Sequence, residues 1–224
     1  MSMLDARNRG QWKHGRDDYR TRASRIAGSR AVSFCDVEGA KVLSLGGGPF
    51  RIHPKIITLN IEPFANVDVV GDAHRLPLAT ASIDAIHCEA VFEHLRDPDV
   101  AALEMFRVMK PGAIAFVCTP FMQPFHGYPS HFQNYTIFGH RRLFERAGFD
   151  VLESGTCVGP SWAVAHVVSF YIEQYAPRWI SWPARAVWWA FARCCLRPMD
   201  RWLTERDDAY VVASTTYVLA TKPQ

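Results

Sequence analysis

The sequence lacks several features that would assign it to particular classes of protein. Its six cysteines form no Cys-X-X-Cys pair and have no metal-binding spacing with histidine, so we predict neither a disulfide framework nor a metal site. The N-terminus has no apolar stretch typical of a secretion signal, and we expect a cytoplasmic protein. A net charge of +3 over 224 residues is too small to indicate nucleic acid as a partner.

Charge is also missing from a long internal stretch. Between Lys110 and Arg141 the chain has no Asp, Glu, Lys or Arg, but it has seven aromatic residues. Prolines at positions 120, 124 and 129 would break a membrane-spanning helix here. We therefore predict a buried strand at 113–119 followed by an ordered loop that lines a pocket.

The most informative positive feature is a buried-strand pattern that ends in three glycines. Residues 41–45 read Lys-Val-Leu-Ser-Leu, and Gly46, Gly47 and Gly48 follow directly. Glycine permits a tight turn and lets a ligand lie against main-chain N–H groups without a Cβ in the way. This pattern predicts a site for a nucleotide-like cofactor, although a plain turn has the same appearance.

Five further motifs follow this strand in order and at ordinary spacing. Together they resemble the class I S-adenosylmethionine (SAM)-dependent methyltransferases, over roughly residues 40–155. They are Asn60-Ile61-Glu62, Gly71-Asp72-Ala73-His74-Arg75-Leu76-Pro77, Ser82-Ile83-Asp84, Glu93-His94-Leu95 and Arg107-Val108-Met109-Lys110-Pro111-Gly112.

The resemblance implies a set of cofactor-binding residues. In that family the glycines after the first strand pass under the methionine part of SAM, which assigns Gly46, Gly47 and Gly48 here. An acidic residue ending the second strand holds the ribose hydroxyls; Glu62 and Asn60 are both candidates for that position. Asp72 would accept from the adenine amino group, and the family places Ala73, His74, Glu89 and His94 beside the cofactor.

Two positions depart from the family pattern. Many members carry an acidic residue where Ser44 stands and a glycine where Phe50 stands. These departures bear on the contact with the ammonium group of SAM and on the geometry of the glycine loop. They also support an alternative, a non-catalytic interaction module on the same fold.

Two histidines in the uncharged loop are the candidate catalytic residues. An imidazole suits removal of a proton from a hydroxyl acceptor, so His126 and His131 are both candidates. Each histidine would equally serve to hold a proline-rich loop in shape. We interpret Glu93 and His94 as residues that line the pocket.

The predicted fold is an α/β domain with a Rossmann-like, seven-stranded methyltransferase sheet and a helical insertion before the last strand. Connections of about seven and four residues between the first three strands leave no room for helices. Either those helices are reduced to turns, or one segment is not a parallel strand. The predicted regions are a basic extension or lid at 1–40, the core at 41–157, the insertion at 158–208 and a final strand within 209–224.

The insertion is rich in tryptophan and arginine. Arg185, Arg193, Arg197 and Arg201 recur at multiples of four, which places them on one helical face. We expect the aromatic side chains to be covered by the sheet or by a second subunit of a homodimer. The alternative is peripheral contact with a membrane through 179–203.

The sequence thus predicts a methyltransferase that uses SAM on a small-molecule acceptor, with an oxygen acceptor favoured and a sugar or polysaccharide precursor suggested by the resemblance. A nucleotide-dependent oxidoreductase is the other enzymatic alternative. That class uses a Gly-X-Gly-X-X-Gly turn, whereas Pro49 follows Gly48 here.

Overall fold

The computed structural model describes residues 19–48, 51–127 and 130–224, and in these ranges the chain forms one mixed sheet flanked by helices. The seven strands lie in the order β3-β2-β1-β4-β5-β7-β6, and β7 runs antiparallel to both of its neighbours. The predicted seven-stranded architecture is therefore confirmed. The strands are β1 (Val42–Leu45), β2 (Ile57–Asn60), β3 (Val69–Val70), β4 (Ile83–Glu89), β5 (Met109–Pro120), β6 (Asp150–Val158) and β7 (Thr215–Thr221).

Six α-helices accompany the sheet in the described ranges, three of them in the insertion. The last predicted strand is shorter than expected, because 209–212 form a 3-10 turn and β7 begins only at Thr215. The helices are α1 (Arg22–Val32), α2 (Pro98–Val108), α3 (Ile137–Arg146), α4 (Pro160–Tyr175), α5 (Arg178–Phe191) and α6 (Arg197–Leu203).

The first three strands are all parallel, although the described residues of the segments between them form no helix. Leu43 pairs with Ile57 across β1 and β2, and Leu59 pairs with Val69 across β2 and β3. Short turns replace the crossover helices that parallel neighbours ordinarily need. Arg51 stabilises this edge, because its guanidinium donates to both carboxylate oxygens of Asp68 at 2.8 and 2.9 Å.

Alternating side chains on the central strands build a core on each face of the sheet. On β5, Ala115 and Val117 pack under α2 and α3, whereas Phe116 and Cys118 face α1. The second face is covered closely, since a Cβ on Gly28 of α1 would lie 3.4 Å from the ring of Phe116.

Helix α1 belongs to the core and does not form a lid. Its N-cap Thr21 accepts from the Ser24 amide and donates to the Thr156 carbonyl of β6 at 2.7 Å. These contacts fix the start of α1 on the sheet. The proposed lid can therefore concern only residues 1–18, which lie outside the described part of the chain.

The helical insertion leaves several of its large aromatic side chains exposed. Trp179 and Trp182 on α5 are 79% and 78% exposed, and Trp202 on α6 is 62% exposed. The expectation that protein covers these aromatic residues is wrong within this chain, because α5 packs on α4 with one side only and carries no fully buried residue. No helix of the described residues is long and apolar enough to cross a membrane.

One buried histidine makes fold stability depend on pH. His140 of α3 is fully buried; its Nδ1 lies 3.1 Å from Thr216 Oγ1, its Nε2 has no partner, and burial lowers its pKa to about 3. Because the unfolded chain takes up a proton near pH 6.5 and the folded chain does not, stability is full above that pH and falls as the pH drops toward 3.

We expect the free energy of unfolding of the parent to fall by about 2 kcal/mol more than that of His140→Gln between pH 7 and pH 5. Urea unfolding at several pH values measures the difference. His53→Gln, at a partly exposed position, is the control and should follow the parent. Parallel pH profiles for the parent and His140→Gln would contradict the assignment.

Candidate active site

The predicted site residues lie along one edge of the sheet, where the parallel strands end. Leu45 of β1 pairs with Cys88 of β4, and Glu89 of β4 pairs with Cys118 of β5. The segments that follow these strands therefore start side by side. Ligands of open parallel sheets bind at this carboxyl edge.

The glycine loop after β1 requires glycine for steric reasons. Gly46 has φ +74°, and a Cβ there would lie 2.2 Å from a methyl group of Val91. A Cβ on Gly47 would lie 2.5 Å from the Thr58 methyl group and 2.8 Å from Ser44 Oγ. At Gly48 the Cβ position faces open space, which leaves the surface of the loop accessible to a ligand.

Asn60 at the end of β2 holds this loop in place. Its amide nitrogen donates to the carbonyl oxygens of Gly46 and Gly47 at 3.2 and 2.9 Å, and its Oδ1 accepts from the Glu62 amide at 3.0 Å. These bonds use the polar atoms of the Asn60 side chain. Of the two ribose candidates, Asn60 therefore shapes the loop, and Glu62 follows it at the same edge.

Asp72 and His74 form a small network after β3. Asp72 Oδ1 accepts from the His74 amide at 2.9 Å and lies 2.6 Å from His74 Nδ1, and the pKa of Asp72 is lowered mainly by the bond from that amide. His74 Nε2 accepts from the Asp97 amide, so the proton of this ring sits on Nδ1. The Asp72 side chain remains half exposed, as a ligand-binding carboxylate requires.

Glu89 at the end of β4 is tied to protein groups on two sides. Its carboxylate lies 2.8 Å from Arg20 and 3.3 Å from Nε2 of His87. Burial alone would raise its pKa, but these two partners outweigh that effect and hold the pKa at about 2. Arg20 is a site residue that sequence reasoning missed, because nothing in the sequence indicates which partner this arginine meets 69 positions away.

Three side chains from two segments converge next to Glu89 and form what we call the Glu93 cluster: Glu93, His94 and His126. Glu93 and His94 lie in the short turn Phe92–His94 after β4, and His126 lies in the loop after β5. Glu93 is fully buried, and its Oε1 lies 3.8 Å from His94 Nε2 and 3.7 Å from His126 Nε2. The candidate ligand atoms of all three lie within 4.8 Å of one another, so this cluster can hold a metal ion.

The buried carboxylate dominates the electrostatics of the cluster. Thr119 Oγ1 donates to Glu93 Oε2 at 3.3 Å, while Glu93 Oε1 has no hydrogen-bond partner. Burial by itself lowers the pKa of His126, but the Glu93 carboxylate and the Pro124 carbonyl outweigh it and the pKa is raised.

His131 lies against the cluster but has both ring nitrogens occupied. Its Nδ1 accepts from the His126 amide at 3.1 Å, and its Nε2 lies 2.7 Å from Asn134 Oδ1. Its ring centroid is 4.4 Å from that of His126. The structure thus brings the two candidate catalytic histidines together and leaves only His126 with a ring nitrogen directed at the cluster.

Comparison with known proteins finds similarity to methyltransferases. A family model described as a methyltransferase domain matches residues 52–117. An uncharacterized methyltransferase of Mycobacterium sp. (strain KMS) is 28% identical over 180 residues, which cover 64% of this chain and 69% of the relative. A probable S-adenosylmethionine-dependent methyltransferase of Mycolicibacterium smegmatis is 34% identical over 87 residues, or 36% of this chain and 34% of that protein.

A solved structure extends the likeness to the fold. Haemonchus contortus phosphoethanolamine N-methyltransferase 2, in complex with phosphomonomethylethanolamine and S-adenosylhomocysteine, superposes with a TM-score of 0.52 at 14% identity, over 89% of this chain and 53% of that one. The methyltransferase domain and these relatives support a SAM-dependent methyltransferase. SAM is the methyl donor of this family, and the methyltransferase presents the glycine loop, Glu62 and Asp72 along one edge of the sheet.

A cavity of about 140 Å³ lies between the N-terminal segment and the insertion of this methyltransferase. Tyr19 stacks on Trp162 with ring centroids 3.6 Å apart. The guanidinium carbon of Arg197 lies over the Tyr19 ring, 5.0 Å from its centroid. His166 contacts the rings of Trp162 and Trp189, and its pKa is lowered to about 4 by burial and by His126. The cavity is therefore an aromatic pocket formed by Tyr19 and the insertion.

Substitutions of Asn60 and Glu62 distinguish a residue that holds the glycine loop in shape from one that binds the cofactor directly in this methyltransferase. Asn60→Ala removes both bonds to the glycine loop, so we expect a lower melting temperature together with S-adenosylhomocysteine (SAH) affinity weakened by about 1–2 kcal/mol. Glu62→Gln should weaken SAH binding to a similar degree while leaving the bonds of Asn60 to the glycine loop in place. Calorimetry and thermal unfolding measure both quantities, and unchanged affinity in Asn60→Ala would show that the loop keeps its shape without the amide.

Proposed function

We propose that this methyltransferase transfers the methyl group of SAM to a hydroxyl oxygen of a small molecule. The observation that carries the proposal is the separation of two sets of groups along one sheet edge. The glycine loop, Glu62 and Asp72 follow β1 to β3, whereas the Glu93 cluster follows β4 and β5. One set serves the cofactor and the other serves the acceptor.

On the cofactor side, each residue meets a different part of SAM. Gly46, Gly47 and Gly48 lie under the methionine part, Glu62 accepts from the ribose hydroxyls, and Asp72 accepts from the adenine amino group. Ala73, His74 and Glu89 complete the surroundings, and His94, which also belongs to the Glu93 cluster, lies where the two sets meet. The bonds of Asp72 and Glu89 to His74, His87 and Arg20 support this assignment, because they fix the carboxylates before the cofactor arrives.

On the acceptor side, the Glu93 cluster prepares the hydroxyl group. Methyl transfer forms a bond from carbon to the acceptor oxygen and breaks the bond from carbon to sulfur, and the bonding pair returns to sulfur to give neutral SAH. The hydroxyl proton must leave, and it passes through the cluster to solvent. His126 is 18% exposed and Glu93 is fully buried, so His126 connects the cluster to solvent. The loop that carries His126 has no charged residue.

The side chains around the cluster and in the insertion indicate the chemical class of the acceptor. The loop after β5 carries aromatic residues and no charge, and the cavity against the insertion is lined by Tyr19, Trp162, Trp189 and Arg197. Pockets of this kind bind small molecules through apolar and aromatic contact, with a few polar groups that orient them. A sugar or polysaccharide precursor fits this description.

His126→Asn tests the acceptor assignment. We expect SAH affinity equal to that of the parent, because the substitution lies outside the cofactor contacts, and turnover on hydroxyl acceptors lowered by a factor on the order of 10² to 10⁴. Calorimetry with SAH and a screen of small hydroxyl compounds with radiolabelled SAM measure the two quantities.

His131→Asn is the matched variant in the same loop. Because both nitrogens of His131 serve the loop, we expect a lower melting temperature and a smaller loss of turnover. Parental turnover in His126→Asn would mean that proximity of the acceptor to the sulfonium suffices.

Calorimetry of the parent with NAD as well as SAM separates the oxidoreductase and non-catalytic alternatives from a methyltransferase.

We also propose that residues 179–203 make peripheral contact with an anionic membrane surface. Trp179 and Trp182 are the most exposed large apolar side chains of α5, and tryptophan favours the interface between lipid and water. Residues 179–203 contain four arginines and one acidic residue, Asp200, and among the arginines Arg193 and Arg201 are exposed. This surface therefore combines aromatic side chains with positive charge.

We expect the parent to float with vesicles that contain phosphatidylserine, and Trp179→Ala/Trp182→Ala to remain unbound. Phe138→Ala is the control, because Phe138 is 69% exposed on α3, away from the insertion. An elution volume that changes from dimer to monomer in the double variant, without flotation of the parent, would instead show that a second subunit covers the surface.

A further inference from the structure

The Glu93 cluster contains a buried carboxylate oxygen that nothing in the described protein satisfies. Glu93 is fully buried, its Oε2 accepts from Thr119, and its Oε1 has no hydrogen-bond partner. An ionised carboxylate removed from water is costly unless a cation or donors compensate it. The two side chains that approach Oε1 are imidazoles, each through a ring nitrogen at 3.7 or 3.8 Å.

The hydrogen bonds of the two histidines determine which nitrogen of each ring carries the proton. His94 Nδ1 lies 2.5 Å from the Ser130 carbonyl oxygen, and His126 Nδ1 lies 3.0 Å from the Pro124 carbonyl oxygen. A carbonyl oxygen only accepts, so each ring donates from Nδ1, and its neutral form presents the lone pair of Nε2. Metal-binding histidines are oriented in this way, with the second nitrogen donating to a backbone carbonyl.

The separations suit a single ion. Ligands of a tetrahedral Zn²⁺ with bonds of about 2.0–2.1 Å lie roughly 3.3 Å apart. The distances from Glu93 Oε1 to the two Nε2 atoms are only a few tenths of an ångström longer. Small rotations of the three side chains would close this gap.

The backbone around the cluster is braced. The Phe132 amide donates to the Glu93 carbonyl at 2.8 Å, and the Gln133 amide group donates to the carbonyl oxygens of Phe92 and Leu95 at 2.6 and 2.8 Å. These bonds join the loop after β5 to the turn after β4. The two segments that supply the ligands are therefore held together without an ion.

We propose that Glu93 Oε1, His94 Nε2 and His126 Nε2 bind one divalent transition-metal ion. Two imidazoles and one carboxylate are a donor set that Zn²⁺ takes in catalytic sites, with a further position left for water or substrate. His94 and His126 are 13% and 18% exposed, so that position is reachable. His131 is not a ligand, because both of its ring nitrogens are bonded elsewhere.

This inference deepens the proposed function and rests on it for its chemical meaning. An ion at this place lowers the pKa of a bound hydroxyl, so that the acceptor oxygen loses its proton to solvent before it attacks the methyl group. The ligands would then explain why turnover depends on His126, while cofactor binding depends on other residues.

Cobalt binding tests the site directly. The full chain, free of affinity-tag histidines and dialysed against a chelator, is titrated with Co²⁺ while its visible absorption is followed, and Zn²⁺ is then added as competitor. We expect one equivalent of Co²⁺ that Zn²⁺ displaces. Glu93→Gln should weaken Co²⁺ binding by at least about 100-fold, since loss of a ligand exceeds the 10- to 100-fold effect of an outer partner.

Two controls identify where the ion binds. His53→Gln removes a histidine whose Nε2 lies 3.7 Å from Asp36, a similar spacing outside the cluster, and should bind Co²⁺ like the parent. Cys194→Ser/Cys195→Ser removes the two exposed thiols and should also bind like the parent. Circular dichroism checks that Glu93→Gln is folded.

Several results would overturn the proposal. They are the absence of Co²⁺ binding by the parent, equal binding by Glu93→Gln and the parent, and loss of binding in the cysteine variant. Calorimetry with SAH on the same samples keeps the two hypotheses apart. SAH binding without Co²⁺ binding rejects the metal site and leaves the methyltransferase assignment. Co²⁺ binding without SAH binding rejects the methyltransferase assignment and leaves the metal site.

Discussion

The site depends on the parallel register of β1, β4 and β5. Because these strands pair side by side and run in the same direction, the segments that follow them leave the sheet at the same edge. The glycine loop, the Phe92–His94 turn and the loop after β5 therefore lie close together although about 80 residues separate the first from the last. Every distance in the candidate site follows from this alignment.

Polar groups at this edge are fixed mainly by the backbone and by partners distant in sequence. Asn60 holds the glycine loop, Arg20 and His87 hold Glu89, and Ser130 and Pro124 orient two histidines. Such bonds reduce the reorganisation that ligand binding would otherwise require. Among the described residues, the buried Glu93 Oε1 has no hydrogen-bond partner.

The insertion differs from the core in how far its large side chains are buried. Its helices pack on one another and enclose an aromatic cavity, yet α5 leaves two tryptophans almost fully exposed. A large exposed aromatic surface on one helix is uncommon on proteins that act alone in solution. The insertion thus differs from the core in leaving large aromatic side chains at the surface.

The sequence by itself indicated the resemblance to SAM-dependent methyltransferases, the seven-stranded sheet and the glycine-ended first strand, because these depend on local patterns and on motifs with fixed spacing. It also indicated His126, since a histidine in an uncharged aromatic segment stands out. Only the tertiary structure decided that Asn60 shapes the loop and that His131 braces its neighbour. The same holds for the meeting of Glu93, His94 and His126, because hydrogen bonds between residues tens of positions apart depend on strand register, and local sequence does not encode it.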